Sequence, residues 1–338
     1  MNYGKVTIHE ISKALGIDSS TVSRALNDSP RVSSKTKSKI LAKAKELGYR
    51  RNSLASNLRT NKTNTIGVVV PRISRNFFSN VISGIEATAY ENGYNVIICQ
   101  SLESLEREKK IMDTLLSNRV DGVLISISMQ TNTFEHLKPF GDYGAPIVFY
   151  DRPCNFGGFT SLSIDDFEAS FKATEHLILN GCKRIVHFGG PQNIELYRNR
   201  KKGYLAALEA YDIKFYDDFF FQTKLSEKDG TAIAKEIVKM KTVDGIYAAN
   251  DTSAISAMQY FKTTGIKIPE DIAIVGFNND PISAVIEPSL TTINQPDFEM
   301  GKQASLLLID QIENRNTKKQ SRVLGIDLII RDSSKKNI

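Results

Sequence analysis

Residues Thr7–Asn27, which read TIHEISKALGIDSSTVSRALN, predict two short helices separated by a tight turn. Apolar residues recur at helical spacing on both sides of Gly16, and glycine adopts left-handed backbone angles without steric cost. Asp18 or Ser19 can cap the second helix through a side-chain oxygen. The shared apolar face of the pair consists of Ile8, Ile11, Ala14, Leu15, Ile17, Val22, Ala25 and Leu26. A helix-turn-helix unit is therefore predicted in this part of the chain.

The outward face of the second helix carries short hydroxyl side chains and one guanidinium. These side chains are Ser19, Ser20, Ser23 and Arg24. Side chains of this kind hydrogen-bond to the edges of bases in the major groove of DNA. The pattern predicts a DNA-binding head on a larger body that carries out a different task.

The 338 residues have a net charge of +6, and this charge is concentrated near the N-terminus. Residues 1–65 contain 13 Lys and Arg against 4 Asp and Glu, whereas the remaining residues contain 31 against 34. A basic head on a near-neutral body indicates a polyanionic partner for the head alone. The length is sufficient for two or three domains with their own cores.

The segment Ser33–Leu47 predicts a third helix, which Gly48 ends. Its expected apolar stripe consists of Ile40, Leu41, Ala44 and Leu47. Its other faces are rich in lysine, at Lys35, Lys37, Lys39, Lys43 and Lys45. We expect these lysines to attract phosphates without reading bases.

A short amphipathic stretch, Asn52–Thr60, follows the head and leads into the polar linker Asn61–Asn64. Within it, Ser53–Arg59 can form about two turns of helix. A helix of this length is unstable by itself in water. We therefore expect it to fold only against a partner.

From Thr65 onward, short apolar strands alternate with amphipathic helical segments. The strand candidates are Ile66–Val70, Val96–Cys99, Gly122–Ile127, Ile147–Tyr150, Ile185–Phe188, Gly245–Ala248, Ile272–Phe277 and Val323–Ile330. Continuous apolar strands separated by helices favour parallel sheets covered on both faces. Because the region is too long for one such sheet, we predict two α/β lobes. Open sheets of this kind bind ligands at the carboxyl ends of their strands, so the lobes should enclose a cleft.

Polar side chains follow several of these strands, where a small polar ligand would be held. Asp151, Asn250 and Asn278 each come directly after a strand candidate. Capping of the next helix explains such residues equally well, and we expect Asp251 in particular to be a cap.

The chain has no nucleophile elbow, no HExxH and no phosphate-binding loop, and Gly189-Gly190-Pro191 reads as an ordinary turn. We therefore expect a protein that is not an enzyme and uses no cofactor or metal. The three cysteines, Cys99, Cys154 and Cys182, lack the spacing of a metal or redox site. The sequence also shows no signal peptide pattern and no apolar run of membrane length. Together with the isolated cysteines, these features predict a cytoplasmic protein without a membrane partner.

The head resembles that of the lactose-repressor/galactose-repressor (LacI/GalR) family, which opens with a pattern close to V-T-x-x-x-I-A-x-x-x-G-V-S-x-x-T-V-S-R-x-L-N. The chain matches this pattern at Val6-Thr7, Ile11, Gly16-Ile17, Thr21–Arg24 and Leu26-Asn27. It departs at Asp18, where the family usually has serine. The resemblance implies DNA contacts by Thr7, Ser19, Ser20, Thr21, Ser23, Arg24, Asn27 and Leu58. Leu58 would pry open a base step in the minor groove once the hinge helix has folded on DNA.

The resemblance extends over essentially the whole chain and implies an α/β fold class. An all-α helix-turn-helix head would precede a two-lobed, periplasmic-binding-protein-like core of two doubly wound parallel sheets. The implied division is a DNA-binding domain at 1–50, a hinge helix and linker at 51–64, and an effector-binding and dimerisation core at 65–338. The first lobe would take about 65–162 and 293–323, and the second about 163–292 and 324–338.

The family resemblance also extends the candidate effector site. Arg200 lies in an R-x-x-G-Y motif whose arginine reaches the effector from the second lobe. Asn76-Phe77-Phe78 is close to the family's N-P-F-F. Asn278 stands where an aspartate is frequent, and Leu225 stands near a frequent aromatic platform. The expected effector-binding residues are Phe77, Phe78, Asp151, Arg200, Leu225, Asn250 and Asn278.

The sequence thus predicts a transcription regulator, in the first place a repressor, controlled by a small polar effector such as a sugar or sugar derivative. We expect a homodimer on a near-palindromic operator, because two-fold partners read palindromic sites. Two alternatives remain at this point, a soluble sugar-binding receptor and a sugar-processing enzyme, each without a DNA role.

Overall fold

The computed structural model describes residues 6–49, 62–153, 158–314 and 317–335. The chain forms two compact units, Met1–Thr63 and Asn64–Ile338. In the described ranges the first unit is helical, and the second contains two sheets with helices on their faces. Most of the predicted hinge at 51–64, including Leu58, lies outside the described residues.

The first unit contains helices α1 (Ile8–Leu15), α2 (Ser19–Leu26) and α3 (Ser34–Glu46). Gly16 ends α1 with φ 64° and ψ 32°, which is the left-handed turn that the sequence predicts. Asp18 stands directly before α2, but its side chain makes no cap hydrogen bond. The buried core is small and consists of Ile11, Val22, Ala25, Val32, Ile40 and Ala44.

The prediction for the apolar stripe of α3 is wrong at Leu41, which is 52% exposed. Only Ile40 and Ala44, four residues apart on one face, pack fully into the head core. Leu41 follows Ile40 and is rotated from it by about 100° around the helix axis, so it lies beyond the edge of the small core.

Two of the five lysines on α3 are engaged in ion pairs. Lys37 Nζ lies 2.6 Å from a carboxylate oxygen of Asp28, and Lys43 pairs with Glu46 at 2.7 Å. Lys35, Lys39 and Lys45 form no ion pair with any residue that the structure describes. These three are the lysines of α3 best placed to attract phosphates.

The second unit contains twelve strands in its described ranges. In chain order they are β1 (Thr65–Val70), β2 (Asn95–Gln100), β3 (Gly122–Ile125), β4 (Ile147–Tyr150), β5 (Thr160–Ile164), β6 (Ile185–Gly189), β7 (Phe220–Gln222), β8 (Gly245–Ala248), β9 (Ala273–Phe277), β10 (Thr291–Asn294), β11 (Ser321–Leu324) and β12 (Asp327–Ile329). Three of these strands, β5, β7 and β10, are missing from the strand candidates. The edge strand β7 has only three residues, and β5 and β10 (TSLSI and TTIN) are rich in polar side chains, so none of them gives a long apolar run.

The strands form two six-stranded sheets, one in each lobe. The first has the order β11-β5-β4-β3-β1-β2 and is parallel throughout, with Ile66 of β1 beside Val96 and Gly122. The second has the order β12-β10-β9-β8-β6-β7, and only β12 runs antiparallel to its neighbour. The central strands are buried on both faces, as their continuous apolar runs predict.

The chain crosses between the sheets three times, after β5, after β10 and after β11. The last crossing corrects the prediction of one strand over Val323–Ile330. Residues up to Leu324 pair with β5 in the first sheet, whereas Asp327–Ile329 pairs with β10 in the second. Apolar periodicity reports burial and does not reveal which strand supplies the hydrogen bonds.

Helices cover both sheets. They are α4 (Asn76–Glu91), α5 (Leu105–Ser117), α6 (Lys138–Tyr143), α7 (Asp166–Leu179), α8 (Glu195–Ala210), α9 (Glu227–Met240), α10 (Asp251–Thr264), α11 (Ile282–Val285) and α12 (Asp297–Glu313). Within the described ranges, none of the helices is both long and apolar enough to cross a membrane.

Three helix pairs in the described ranges approach so closely that only glycine fits at the crossing. A Cβ at Gly84 of α4 would overlap the carbonyl oxygen of Phe298 on α12, and one at Gly203 of α8 would overlap that of Phe167 on α7. A Cβ at Gly230 of α9 would likewise overlap the carbonyl oxygen of Ser253 on α10.

Asp251, at the start of α10, joins the strand ends of the second lobe. Its carboxylate accepts hydrogen bonds from the Thr292 hydroxyl and the Asp280 backbone N–H, both at 2.7 Å. The predicted cap role belongs to Asn250, whose Oδ1 accepts the Ser253 N–H at 2.9 Å. Asp251 is fully buried, and its two hydrogen bonds join the turn after β9 to β10. It does not cap its own helix.

Replacing Gly84 or Gly203 with alanine should lower the thermal unfolding midpoint of the full chain, because the new methyl group overlaps a facing backbone. Overpacking of this kind costs about 1–3 kcal/mol. Gly141→Ala in α6 is the matched control, since its Cβ would meet no heavy atom within 4 Å. Midpoints that are equal for Gly84→Ala and Gly141→Ala would contradict the close packing.

Stability should also depend on pH through Asp251, whose pKa burial raises to about 8 from the usual 3.8. Between these values the unfolded chain has lost a proton that the folded protein keeps. The free energy of unfolding should therefore fall as pH rises from about 4 to about 8, by up to about 1.4 kcal/mol per pH unit. Asp251→Asn removes the titration, so urea unfolding across this range should show a flatter curve. Parallel curves for variant and wild type would rule the effect out.

Candidate functional site

The outward face of α2 presents the residues predicted to contact bases. Ser20 and Arg24, one turn apart, are exposed, whereas Ser19, Thr21 and Ser23 are half-buried. The Arg24 guanidinium forms no hydrogen bond or ion pair with the described residues. It is therefore available for a partner outside the head.

Three other predicted contact residues also stabilise the head itself. The backbone N–H and the hydroxyl of Thr7 both donate to one carboxylate oxygen of Glu10, at 2.6 and 3.1 Å. The Ser19 hydroxyl lies 3.2 Å from His9 Nδ1, and Asn27 Nδ2 donates to a backbone carbonyl four residues earlier at 2.6 Å. These bonds fix the ends of α1 and α2.

A cavity of about 950 Å³ lies between the carboxyl ends of the two sheets. It is lined by residues of both lobes, in agreement with the cleft that parallel sheets predict. Six of the seven predicted effector-binding residues lie on its wall. They are Phe77, Phe78, Asp151, Arg200, Asn250 and Asn278.

Leu225 is the exception and corrects the sequence prediction. Its side chain is 1% exposed and packs into the apolar core, so it does not form a wall of the cavity. Its backbone carbonyl instead accepts a hydrogen bond from Asn250 Nδ2 at 2.9 Å. A left-handed φ of 57° at Leu225 turns the side chain inward, which a position in the sequence does not reveal.

The loops around the cavity contain backbone angles that non-glycine residues seldom adopt. Positive φ values occur after β2, β4, β7 and β9, at Leu102, Glu103, Asp151, Leu225, Asn278 and Asn279. Such conformations cost about 1–3 kcal/mol each and cluster at functional sites. Of these residues, Leu102, Glu103, Asp151 and Asn278 line the cavity, whereas Leu225 turns into the core.

Arg200 enters the cavity from α8 and is almost entirely buried, at 4% exposure. Its Nε donates to Asp166 Oδ1 at 2.8 Å and its Nη1 to the Ala249 carbonyl at 2.8 Å. The guanidinium carbon lies 3.5 Å from the centre of the Phe277 ring. Nη2 has no hydrogen-bond partner among the described residues and is left for a ligand. Burial raises the pKa of Asp166 to about 6, and the neighbouring guanidinium opposes this rise.

Asp151 faces Arg200 from the first lobe. Its Oδ2 accepts the Ser126 hydroxyl at 3.1 Å and lies 3.6 Å from Arg152 Nε. Its Oδ1 makes no hydrogen bond within the described ranges. Burial raises the pKa of Asp151, while Arg152 and Arg200 lower it. The cavity wall thus contains a free acceptor from the first lobe and a free donor from the second.

A buried ion pair between Arg152 and Glu103 supports this wall. Both guanidinium nitrogens Nη1 and Nη2 donate to the carboxylate, at 2.8 and 2.9 Å, and Nη1 also donates to the Ile127 carbonyl. Glu103 in turn accepts the Met129 N–H at 2.7 Å. The pair therefore joins the loops after β2, β3 and β4.

Asn278 and Asn250 approach from the second lobe. Asn278 Oδ1 accepts Gln295 Nε2, in the crossing after β10, at 2.9 Å, which leaves Asn278 Nδ2 without a partner in the described part of the chain. Asn250 is already satisfied by Leu225 and Ser253. Asn278 is therefore the better placed of the two to bind a ligand.

The rest of the wall combines an apolar patch with charged side chains, among them Arg72, Arg75, Lys224, Glu227, Lys228 and Asp229. The Phe77 and Phe78 rings meet edge to face at 5.1 Å, and Leu196, Tyr197 and Met129 lie on the same cavity. Glu103, Arg152, Tyr197 and Gln295 are among the wall residues that are not predicted from the sequence. The one available signal was that Arg152 directly follows Asp151 at a strand end.

Two side-chain contacts join the lobes beside the cavity. The Arg75 guanidinium donates to the Thr252 hydroxyl, and Asn193 Nδ2 donates to the Met129 carbonyl at 2.8 Å. Movement of one lobe against the other must break or shift these bonds.

This arrangement is suited to binding a small polar molecule. Its wall contains both free donors and a free acceptor, which matches hydroxyl groups because they both donate and accept. No cluster of three or more His, Cys, Asp or Glu that could hold a metal occurs among the described residues.

Both units of the chain match families of known proteins. Residues 7–52 match the model of the bacterial regulatory proteins of the lacI family, and residues 174–334 match that of the periplasmic binding protein-like domain. The chain is 34% identical to the NTD biosynthesis operon regulator NtdR of Bacillus subtilis, over 97% of the chain and 99% of that protein. It is 30% identical to the transcriptional repressor CytR of Escherichia coli K12, over 97% and 96%.

Solved structures of regulators are similar as well. A complex of the transcriptional regulator CelR with cellobiose has a TM-score of 0.75 at 26% identity and covers 97% of the chain and 99% of its own. A LacI family regulator of Enterococcus faecium with bound ribose has a TM-score of 0.71 at 29% identity, over 80% and 98%. With identity of this degree along nearly its whole length, the chain belongs to the lacI family and is a DNA-binding transcription regulator.

Proposed function

We propose that this protein is a cytoplasmic, homodimeric repressor of a near-palindromic operator. Its operator affinity is set by a small polar effector, a sugar or sugar derivative, bound between the lobes of the core. The observation that carries the effector class is that Asp151 and Arg200 both line the cavity, each with a polar atom, Oδ1 and Nη2, that makes no hydrogen bond to the described residues.

The chemistry of the cavity supports a polyol. Asp151 accepts, Arg200 and Asn278 donate, and adjacent sugar hydroxyls satisfy both needs at once. Phe77 and Phe78 provide an apolar wall against which the carbon face of a ring can pack. The two similar regulators contain cellobiose and ribose, which agrees with this class.

On the DNA side, we assign base contacts to Ser20 and Arg24. The lysines of α3 without an ion pair, Lys35, Lys39 and Lys45, attract the phosphates. Thr7, Ser19, Thr21, Ser23 and Asn27 complete the proposed contact set. Leu58, outside the described residues, is proposed to enter the minor groove from a hinge helix that folds on DNA.

Arg24→Ala should weaken operator binding and reduce discrimination at one base position in each half-site. One lost bidentate contact costs about 1–3 kcal/mol. Fluorescence anisotropy against a set of single-base operator variants measures this change.

Lys39→Ala is the control for charge, because it removes an exposed cation from the head without touching α2. It should reduce the salt dependence of binding uniformly across the operator variants. If Arg24→Ala weakened binding to every single-base operator variant by the same factor, as expected for Lys39→Ala, Arg24 would have no base-reading role.

Asn278→Ala and Asp151→Asn should each weaken sugar binding to the full chain by about 1–3 kcal/mol, since each removes one side of a buried hydrogen bond. Isothermal titration with D-ribose and with cellobiose measures the affinity. Asn118→Ala serves as a control outside the cavity wall, because its exposed amide bonds to the Thr114 carbonyl at 2.8 Å. Unchanged affinity in both cavity variants would place the effector elsewhere.

The effect on DNA must be reciprocal with the effect on the sugar. If a sugar weakens operator binding by a given factor, the operator must weaken sugar binding by the same factor. Titrating the sugar into the protein with and without operator checks this equality.

A further inference from the structure

Tyr197 is a cavity residue for which the proposed function has no role. It lies on α8 three residues before Arg200. Residues three apart on a helix lie on the same face, so both side chains point to the same side. Its side chain lines the cavity and is 7% exposed. Its position therefore brings a phenol next to the pair Asp151 and Arg200.

The ring of Tyr197 is held in one place by its neighbours. It packs flat on Gly190, where any Cβ would lie 2.5 Å from the ring carbons. Gln192 Nε2 donates to the Gly190 carbonyl at 2.8 Å, and the Arg200 guanidinium carbon lies 5.7 Å from the ring centre. The Gly189-Gly190-Pro191 turn therefore has a specific task, which is to make room for this ring.

The hydroxyl of Tyr197 has no hydrogen-bond partner among the described residues. The completely buried Tyr150 and Tyr204, by contrast, donate to backbone carbonyls at 3.1 and 2.7 Å, and Tyr247 bonds to the Ser170 hydroxyl. A buried phenol normally finds such a partner, because leaving the group unpaired is costly. The Tyr197 hydroxyl is thus a polar group that faces the cavity unsatisfied.

Charged groups of both lobes surround this hydroxyl. It interacts electrostatically with Arg152, Glu103 and Asp151 of the first lobe and with Arg200 of the second. Arg152 and Glu103 are already bonded to each other. The groups left to share a ligand with Tyr197 are Asp151 and Arg200.

We propose that Tyr197 is the residue that determines effector specificity, by hydrogen bonding to one ring hydroxyl of a sugar whose neighbouring hydroxyls bind Asp151 and Arg200. The inference rests on the proposed sugar effector. Because a phenol both donates and accepts, it fits a hydroxyl in either role. A site built to bond a hydroxyl rejects the analogue that lacks it, since the buried partner is then left unpaired.

The test combines a variant of the protein with a variant of the sugar. Tyr197→Phe removes only the hydroxyl and keeps the ring on Gly190. Isothermal titration of the full chain uses D-ribose and cellobiose, each with its set of monodeoxy analogues. The variant should bind the parent sugar roughly 3- to 10-fold more weakly than the wild type does. For one monodeoxy analogue, wild type and variant should bind equally, because the bond is absent in both.

Tyr211→Phe is the matched control, since Tyr211 lies at the end of the same helix and bonds to Glu175 at 2.8 Å outside the cavity. It should leave every affinity unchanged. Gly190→Ala should weaken the parent sugar at least as much as Tyr197→Phe, because it displaces the ring. Operator binding without sugar should equal that of the wild type in Tyr197→Phe, which reports an intact fold.

Each outcome separates the two proposals. Full affinity for the parent sugar in Tyr197→Phe overturns the role of Tyr197 and leaves the sugar effector standing. Equal weakening for the parent and for every analogue also overturns it, because a general distortion would act on all of them alike. If the wild type binds neither D-ribose nor cellobiose nor any analogue, the sugar effector and the role of Tyr197 fall together.

Discussion

The buried ion pair between Arg200 and Asp166 is the interaction on which the core depends. Asp166 begins α7 directly after the first crossing between the sheets, and its carboxylate holds the guanidinium at 2.8 Å. Removing one partner of such a pair leaves an uncompensated buried charge, at a cost of about 3–5 kcal/mol. The pair thus fixes the start of the second lobe and at the same time presents Nη2 of Arg200 to the cavity. Because Arg200 both stabilises the fold and lines the cavity, a substitution at Arg200 affects stability as well as ligand binding.

The cavity is built from strand ends whose loops are held rigidly. The Arg152–Glu103 pair ties together three loops of the first lobe, and Asp251 ties the turn after β9 to β10 in the second. Between these two rigid halves lie three short crossings and the contacts Arg75–Thr252 and Asn193–Met129. A ligand that bonds to both halves can therefore bias the angle between the lobes, because the lobes move as units and the crossings absorb the change. Gln295 lies in one of these crossings and bonds to Asn278, so a wall residue and a crossing residue respond together.

Charge separates the two tasks of the protein. The basic surplus of residues 1–65 suits a polyanion, and the guanidinium of Arg24, free of bonds to the described residues, lies on the face of α2 that carries the residues proposed to contact bases. In the core, by contrast, the buried cations are mostly matched by carboxylates, as Arg152 is by Glu103 and Arg200 by Asp166. Because each of these two buried cations has its own carboxylate, neither of them requires an anionic ligand, and Arg200 can donate to a neutral hydroxyl.

The sequence by itself determined the head, the alternation of strands and helices, and the strand-end residues Asp151, Asn250 and Asn278. These features depend on local rules, since periodicity, a left-handed glycine and the end of an apolar run can all be read within a few residues. Only the tertiary structure decided which strand ends meet, that Leu225 turns into the core, and that Asn250 and not Asp251 caps α10. It also placed Tyr197 on the cavity, through a glycine seven residues earlier. The physical reason is that pairing and burial depend on contacts between distant segments, and no pattern within a segment records its partner.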